Sequence, residues 1–178
     1  NTLIKEKKFF TLIVKNKKFK IIKLNQETDI ELENLECAIN CCLALNINEN
    51  KILKIISKVS NPPGRLQKID YLKKKSSIII DYAHTPDALE KILKAFVSNK
   101  IKPNLIFGCG GERDKSKRKH MGLVAKNFAK KVYVTDDNPR NENASIIRKN
   151  ILKYCPNGIE IPDRKKAIKK AIDELKMH

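Results

Sequence analysis

Beyond Asn61-Pro62-Pro63-Gly64 the chain alternates between short apolar runs and longer amphipathic ones. Strand-type runs at 77–80, 104–107 and 132–135 are each followed by a helix-type stretch, at 86–97, 116–128 and 144–152, and a last helix fits 163–175. Strands joined through a helix return to the sheet parallel to one another, almost always by a right-handed crossover. The pattern therefore predicts an α/β fold with a mostly parallel, Rossmann-like sheet. Ligands of such sheets gather where strands end and helices begin. Three polar clusters occupy that position: DYAHTPD at 81–87, GCGGERDKSKR at 108–118 and TDDNPR at 135–140. Their repeated placement predicts one site along a common edge.

The first third reads differently. Two β-rich segments within 9–24 flank the turn-like Lys15-Asn16-Lys17-Lys18 and predict a hairpin. Leu32, Leu35, Ile39, Cys42 and Leu43 recur at three- and four-residue spacing, which predicts a helix over 30–45, with a second short helix over 49–59. Two prolines and a glycine at 62–64 exclude helix and central strand, so a boundary between packing units falls at about residue 63. With 178 residues, 41% of them hydrophobic, there is material for one domain plus part of another. No apolar run approaches the roughly 18 residues of a membrane span. Five cysteines form no C-x-x-C pair, and the odd count argues for a reducing, cytoplasmic setting over a disulfide framework. Cys37 and Cys41 lie four apart on the expected helix without a matched histidine and read as small buried apolar residues, so no metal site is assigned.

The net charge of +18 invites a nucleic-acid reading. Against it, the 32 lysines are scattered, aromatics make up only 6%, and no docking motif occurs. Neither nucleic acid nor membrane is expected as a partner. The lysine excess makes the six arginines informative, because a planar guanidinium grips a carboxylate or phosphate at two points where lysine cannot. Four of them, Arg65, Arg113, Arg118 and Arg140, fall inside short polar clusters.

In DYAHTPD, Thr85 can cap a helix whose first position is Pro86, which holds Asp81 and His84 outward at the strand end. The segment reads equally as a plain capped turn or as a site in which Asp81 accepts from ribose hydroxyls and His84 meets a phosphate oxygen. Gly108-Cys109-Gly110-Gly111 permits a tight turn and close backbone approach, with Arg113, Asp114, Lys117 and Arg118 at the following helix start, where anions are favoured. It is not a P-loop, since no G-x-x-x-x-G-K-[ST] occurs. Asp137-Asn138-Pro139-Arg140 is turn-forming by composition. It also pairs acceptors for an ammonium group, Asp137 and Asn138, with an arginine for a carboxylate, the two needs of an amino acid's zwitterionic head.

PPGR, DYAHTPD, GCGGERDKSKR with the His120-Met121-Gly122 beyond it, DNPR and the final Asp163-Arg164-Lys165-Lys166-Ala167-Ile168 together resemble the Mur ligases, specifically the diaminopimelate-adding members, from about residue 30 onward. The resemblance implies a cytoplasmic ATP-dependent amide ligase of peptidoglycan synthesis, monomeric at full length, in which ATP activates the terminal carboxylate of UDP-MurNAc-L-Ala-D-Glu for attack by an amino acid's amine, with magnesium screening the phosphates. Residues 1–63 would be the last strands and helices of the central ATPase domain, and 64–178 the C-terminal Rossmann-like domain. Arg65, Asp81, His84 and Asn34 match positions that contact ATP, and Arg113, Asp137, Asn138 and Arg140 match those that hold meso-diaminopimelate. Glu31 stands where the family usually carries an asparagine near the nucleotide base. An arginine at 140 favours diaminopimelate over lysine, because only the former brings a second carboxylate to pair with it. The chain opens without methionine and ends before the family's GKGHE segment, so a fragment inactive by itself is expected. Rival readings are a lysine-adding or folylpolyglutamate-type ligase, or a basic nucleic-acid-binding module.

Overall fold

The computed structural model describes residues 2–6, 10–14, 17–21, 24, 28–71, 76–97 and 102–175. They form two compact units: one of residues 1–68 with 79–81, the other of 69–78 with 82–178.

In the first unit, strands β1 (Thr2–Lys5), β2 (Phe10–Val14) and β3 (Lys17–Ile21) make an antiparallel sheet in chain order. Val14 faces Lys17, so the expected hairpin forms between β2 and β3; its central Lys15 and Asn16 lie outside the described residues. β1 was not anticipated. Leu12 and Val14 point to one face with Ile21, where Leu32, Leu35 and Ile39 of helix α1 (Asp29–Ala44) and Ile52 of α2 (Glu49–Ile55) close the core. Each such side chain contributes about 1.5–3 kcal/mol by leaving water. The chain leaves α2 through a 3-10 turn, Ile56–Lys58. Thr28 and Glu31 start α1 as a reciprocal cap: the Thr28 hydroxyl accepts from Glu31 N, and the Glu31 carboxylate accepts from Thr28 N at 2.7 Å.

The second unit carries the parallel sheet, in the order β6 (Asn104–Phe107), β7 (Lys131–Val134), β8 (Ile159–Glu160). Helices α4 (Ser116–Phe128) and α5 (Ala144–Leu152) are its crossovers, with α3 (Pro86–Val97) before and α6 (Arg164–Asp173) after. Strand alternation divides β7. Val132 and Val134 enter the core with Leu89, Leu93, Met121, Val124, Ala125, Ile147 and Ile151 of α3, α4 and α5. Tyr133, between them and fully buried, instead gives its hydroxyl to Glu174 at the end of α6, 2.6 Å away.

The α/β class and the parallel sheet stand as expected, with one correction. β5 (Ser76–Ile80) is a strand, but it pairs with β4 (Gln67–Tyr71) in a two-stranded ribbon, and among the described residues it does not join the parallel sheet. Nor is the run fully buried, since Ile80 is 43% exposed. Three consecutive isoleucines look alike in a sheet centre and in a ribbon, so periodicity could not separate the two. Among the described residues no helix is long and apolar enough to cross a membrane.

Candidate functional site

The loops that follow β6 and β7 sit side by side and are tied backbone to backbone. Gly111 N donates to Asn138 O at 2.8 Å, and Thr135 N to Phe107 O at 3.0 Å. The glycines permit this approach. A Cβ on Gly108 would lie 2.3 Å from Thr135 O, and one on Gly111 would lie 1.9 Å from Pro139 O. The glycine-rich turn therefore serves the neighbouring loop first.

Asp137, Asn138 and Arg140 stand on this edge and are exposed. Asp137 Oδ1 accepts from Asn138 N at 2.9 Å, and Asn138 Oδ1 accepts from Arg140 N at 3.3 Å. Arg140 occupies the left-handed region at φ 49° and turns its guanidinium across to Gly111 O, Nη1 to O 2.5 Å. One nitrogen is thus anchored, and the others have no partner among the described residues. Arg113 is exposed and has no hydrogen-bond or ion-pair partner among the described residues. Asp114 accepts from Ser116 N and Oγ at 2.8 and 2.7 Å, bonds that hold its carboxyl below the usual range and start α4.

Beneath these exposed groups lie charged side chains whose role the sequence did not reveal. Arg118, 1% exposed, donates through Nη2 to both oxygens of Glu142 at 3.0 Å each. Glu142 also accepts from Glu112 N at 2.6 Å. Its carboxyl is drawn down to about 2, first by the Arg118 hydrogen bond and then by the backbone bond from Glu112. Under the other side of the loop, Arg148 pairs with Asp136 and, at 2.7 Å, with Glu160, while Arg164 donates to Asp136 O at 3.0 and 3.2 Å. Arg118, expected with Arg113, Asp114 and Lys117 at a helix start that favours anions, is instead the largest fully buried side chain among the described residues. The signal was present in the lysine-rich composition, but nothing local distinguishes an arginine that faces a ligand from one that holds a loop.

Thr85 caps α3 as expected, its hydroxyl accepting from Ala88 N at 3.3 Å, with Pro86 at the first helical position. His84 is exposed, its Nδ1 3.2 Å from Tyr82 O, and its own carbonyl accepts from Lys117 Nζ at 3.2 Å. That bond brings the DYAHTPD turn next to the start of α4. Within the other unit, Asp81 Oδ2 accepts from Leu66 N at 2.8 Å, which sets Asp81 beside Arg65. Leu66, at φ 45°, is held in the left-handed region there. Asn34 is exposed on α1, one turn from Glu31, whose carboxylate is committed to the Thr28 cap and to Asn61 Nδ2. A hollow of about 430 Å³ lies elsewhere, between α3 and α4, lined by Asp87, Glu90 and His120 among others.

Residues 64–178 match the family described as Mur ligase, glutamate ligase domain. The chain is 44% identical over 145 residues to a UDP-N-acetylmuramoyl-L-alanyl-D-glutamate–2,6-diaminopimelate ligase of Anaplasma marginale, a match covering 80% of this chain and 29% of that protein. It is 33% identical over 214 residues to the ligase of that name in Rickettsia felis, covering 99% of this chain and 40% of its relative. Among solved structures, one of a diaminopimelate ligase of the same name aligns with a TM-score of 0.60 at 29% identity, over 99% of this chain and 37% of that one. Escherichia coli FolC with ADP aligns with a TM-score of 0.73 at 18% identity, over 98% of this chain and 40% of that one, a likeness of fold. The chain thus spans well under half the length of the proteins it matches. The family match spans residues 64–178, more than half of the chain and both arginine-bearing loops, and the chain belongs to the Mur ligase family.

Proposed function

We propose that this chain is the C-terminal part of an ATP-dependent ligase that joins meso-diaminopimelate to UDP-MurNAc-L-Ala-D-Glu in the cytoplasmic stage of peptidoglycan synthesis. Residues 1–63 then belong to the central ATPase domain and 64–178 to the amino-acid-binding domain. The observation that carries the reading is the loop 137–140, where an exposed guanidinium stands two residues from exposed Asn138 and three from exposed Asp137. Opposite charges at that spacing suit an amino-acid head, and Arg113 on the adjoining loop is a second cation for a substrate with two carboxylates.

In such a ligase the glutamate carboxylate would take the γ-phosphoryl group of ATP with release of ADP, the incoming amine would displace phosphate to form the amide, and magnesium would screen the phosphate charge. The chain's own residues fit the periphery of that chemistry. It has no P-loop, so the main cradle of the triphosphate is assigned to the rest of the ligase. Arg65, Asp81, His84 and Asn34 carry the nucleotide contacts that the family resemblance implies, as hydrogen-bonding side chains. Arg140, Asp137, Asn138 and Arg113 orient the amino acid. Lysine lacks the second carboxylate, so it would leave an arginine unpaired beside its own ammonium.

The test is steady-state kinetics of the full-length ligase carrying this segment. Arg140→Ala should raise KM for meso-diaminopimelate about 10- to 150-fold, the worth of one charge-assisted hydrogen-bonded pair. Equal use of L-lysine and diaminopimelate by the unaltered enzyme, or an unchanged KM in the variant, would sink the assignment.

A further inference from the structure

The Glu142 carboxylate joins the two candidate ligand loops, and the proposed function leaves it without a task. It lies two residues beyond Arg140, yet its carboxylate accepts from Glu112 N, immediately before Arg113. Glu112 and Arg140 are both left-handed non-glycine residues, at φ 51° and 49°. Such conformations cost about 1 kcal/mol or more each and persist only where the surroundings impose them. The Glu112 N to Glu142 bond imposes the first, and Arg140 Nη1 to Gly111 O secures the second. Asn141 Nδ2 adds a further strut to Glu112 Oε1 at 2.7 Å.

Arg118 explains why Glu142 stays in place. Its Nη2 meets both carboxylate oxygens, while Nε and Nη1 are buried and have no partner among the described residues. The guanidinium charge, fully inside, thus rests on this one carboxylate, and a buried charge with a single counter-ion holds that counter-ion tightly. With its carboxyl near 2, Glu142 is ionised at any working pH.

We propose that the Arg118–Glu142 pair is a positioning element of the amino-acid site: it couples the loop after β6 to the loop after β7 and thereby sets where Arg113 and Arg140 present their guanidinium groups to a substrate bearing two carboxylates. The inference rests on the proposed amino-acid site. Neither residue touches the ligand; both act through the loops.

The test uses Glu142→Gln and Arg118→Lys in the full-length ligase, with separate KM values for ATP and amino acid, and kcat. Positioning predicts a 10- to 100-fold rise in KM for meso-diaminopimelate, KM for ATP within twofold, and a collapse of the preference over L-lysine. Arg118→Lys keeps the charge but shortens the donor's reach to Glu142, so it should show the same split more weakly. A merely structural pair would lower the active fraction, hence kcat, and leave both KM values alone; that result overturns the proposal, as does a parallel rise in both. A second readout needs no variant: the Glu112 amide should exchange at least 100-fold more slowly than the Arg113 amide in ligand-free enzyme, and equal rates overturn the coupling. If the unaltered enzyme uses lysine equally well, the diaminopimelate reading falls, and the coupling is then judged on the KM of whichever amino acid the enzyme takes.

Discussion

Glu142 and Glu174 hold opposite ends of the same parallel sheet, and both carboxyls are drawn to about 2, yet they do different things. Glu174 gathers Lys131 and Lys170, each at 2.8 Å, and the Tyr133 hydroxyl at 2.6 Å, and so staples α6 to the start of β7. Its lysines are about half exposed, at 47% and 55%. Glu142 gathers a buried arginine and a backbone N–H at the other end of the strands, where two loops must be held without using up the groups that face the ligand. Two half-exposed lysines and one tyrosine hydroxyl suffice for a staple, since a small displacement of α6 leaves the core intact. A site needs geometry, and a guanidinium inside the protein whose Nη2 meets both carboxylate oxygens supplies it. The Tyr133 phenol, pushed up by burial and then by Glu174, stays neutral and donates.

The comparison breaks most visibly at Arg118. Arg118→Ala empties the largest fully buried side-chain site and removes half of a buried pair, so it should cost about 3–5 kcal/mol. Thermal unfolding measures this, and a loss below about 1 kcal/mol would place Arg118 with the surface pairs. Gly111→Ala drives a methyl into Pro139 O and should cost about 1–3 kcal/mol while weakening amino-acid binding more than nucleotide binding, read from the same melt and from KM values.

Acid gives a smaller, shared effect. Both carboxyls are depressed in the folded protein from an ordinary value near 4.5, so their stabilisation is complete above that pH and is lost as pH falls toward 2. Melts across pH 6 to 2 should show stability declining from about 4.5 downward, and Glu142→Gln and Glu174→Gln should each flatten the slope. Salt separates the pair: at 1 M, where charges are screened within about 3 Å, the Glu174→Gln penalty should shrink by half or more and the Glu142→Gln penalty should hardly move. Smallest is a thiol effect. Burial, the first of the causes acting on it, pushes the Cys109 thiol up to about 11, so it should resist alkylation at pH 8 while exposed Cys37 and Cys41 react; mass spectrometry of the labelled chain decides it.

Much of the architecture was legible along the chain. Helices α1, α3, α4 and α5 fall within a residue of their expected limits, because each combines an apolar face at helical spacing with a nearby capping or turn residue such as Thr28, Thr85 or Asn143. Strands β1 (TLIK), β4 (QKIDY) and β8 (IE) were missed: none carries the run of three apolar residues that marks β5, β6 and β7. Of the candidate site, the residues on loops 108–113 and 135–140 do meet, as strand ends of a parallel sheet must. The DYAHTPD turn reaches the start of α4 through the Lys117 Nζ to His84 O bond, although β5 pairs with β4 and, among the described residues, does not join the parallel sheet.

Local chemistry in the sequence determined the order of elements, the caps and the identity of the exposed loop residues, all of which depend on neighbours within about four positions. Only the tertiary structure decided that β5 takes β4 as its partner, that Gly108 and Gly111 make room for another loop, and that Arg118 turns inward. Those outcomes rest on pairs such as Arg118 with Glu142, 24 residues apart, and Glu112 with Glu142, 30 apart. No local preference encodes a contact of that separation; burial and the demand that an interior charge find its counter-ion do.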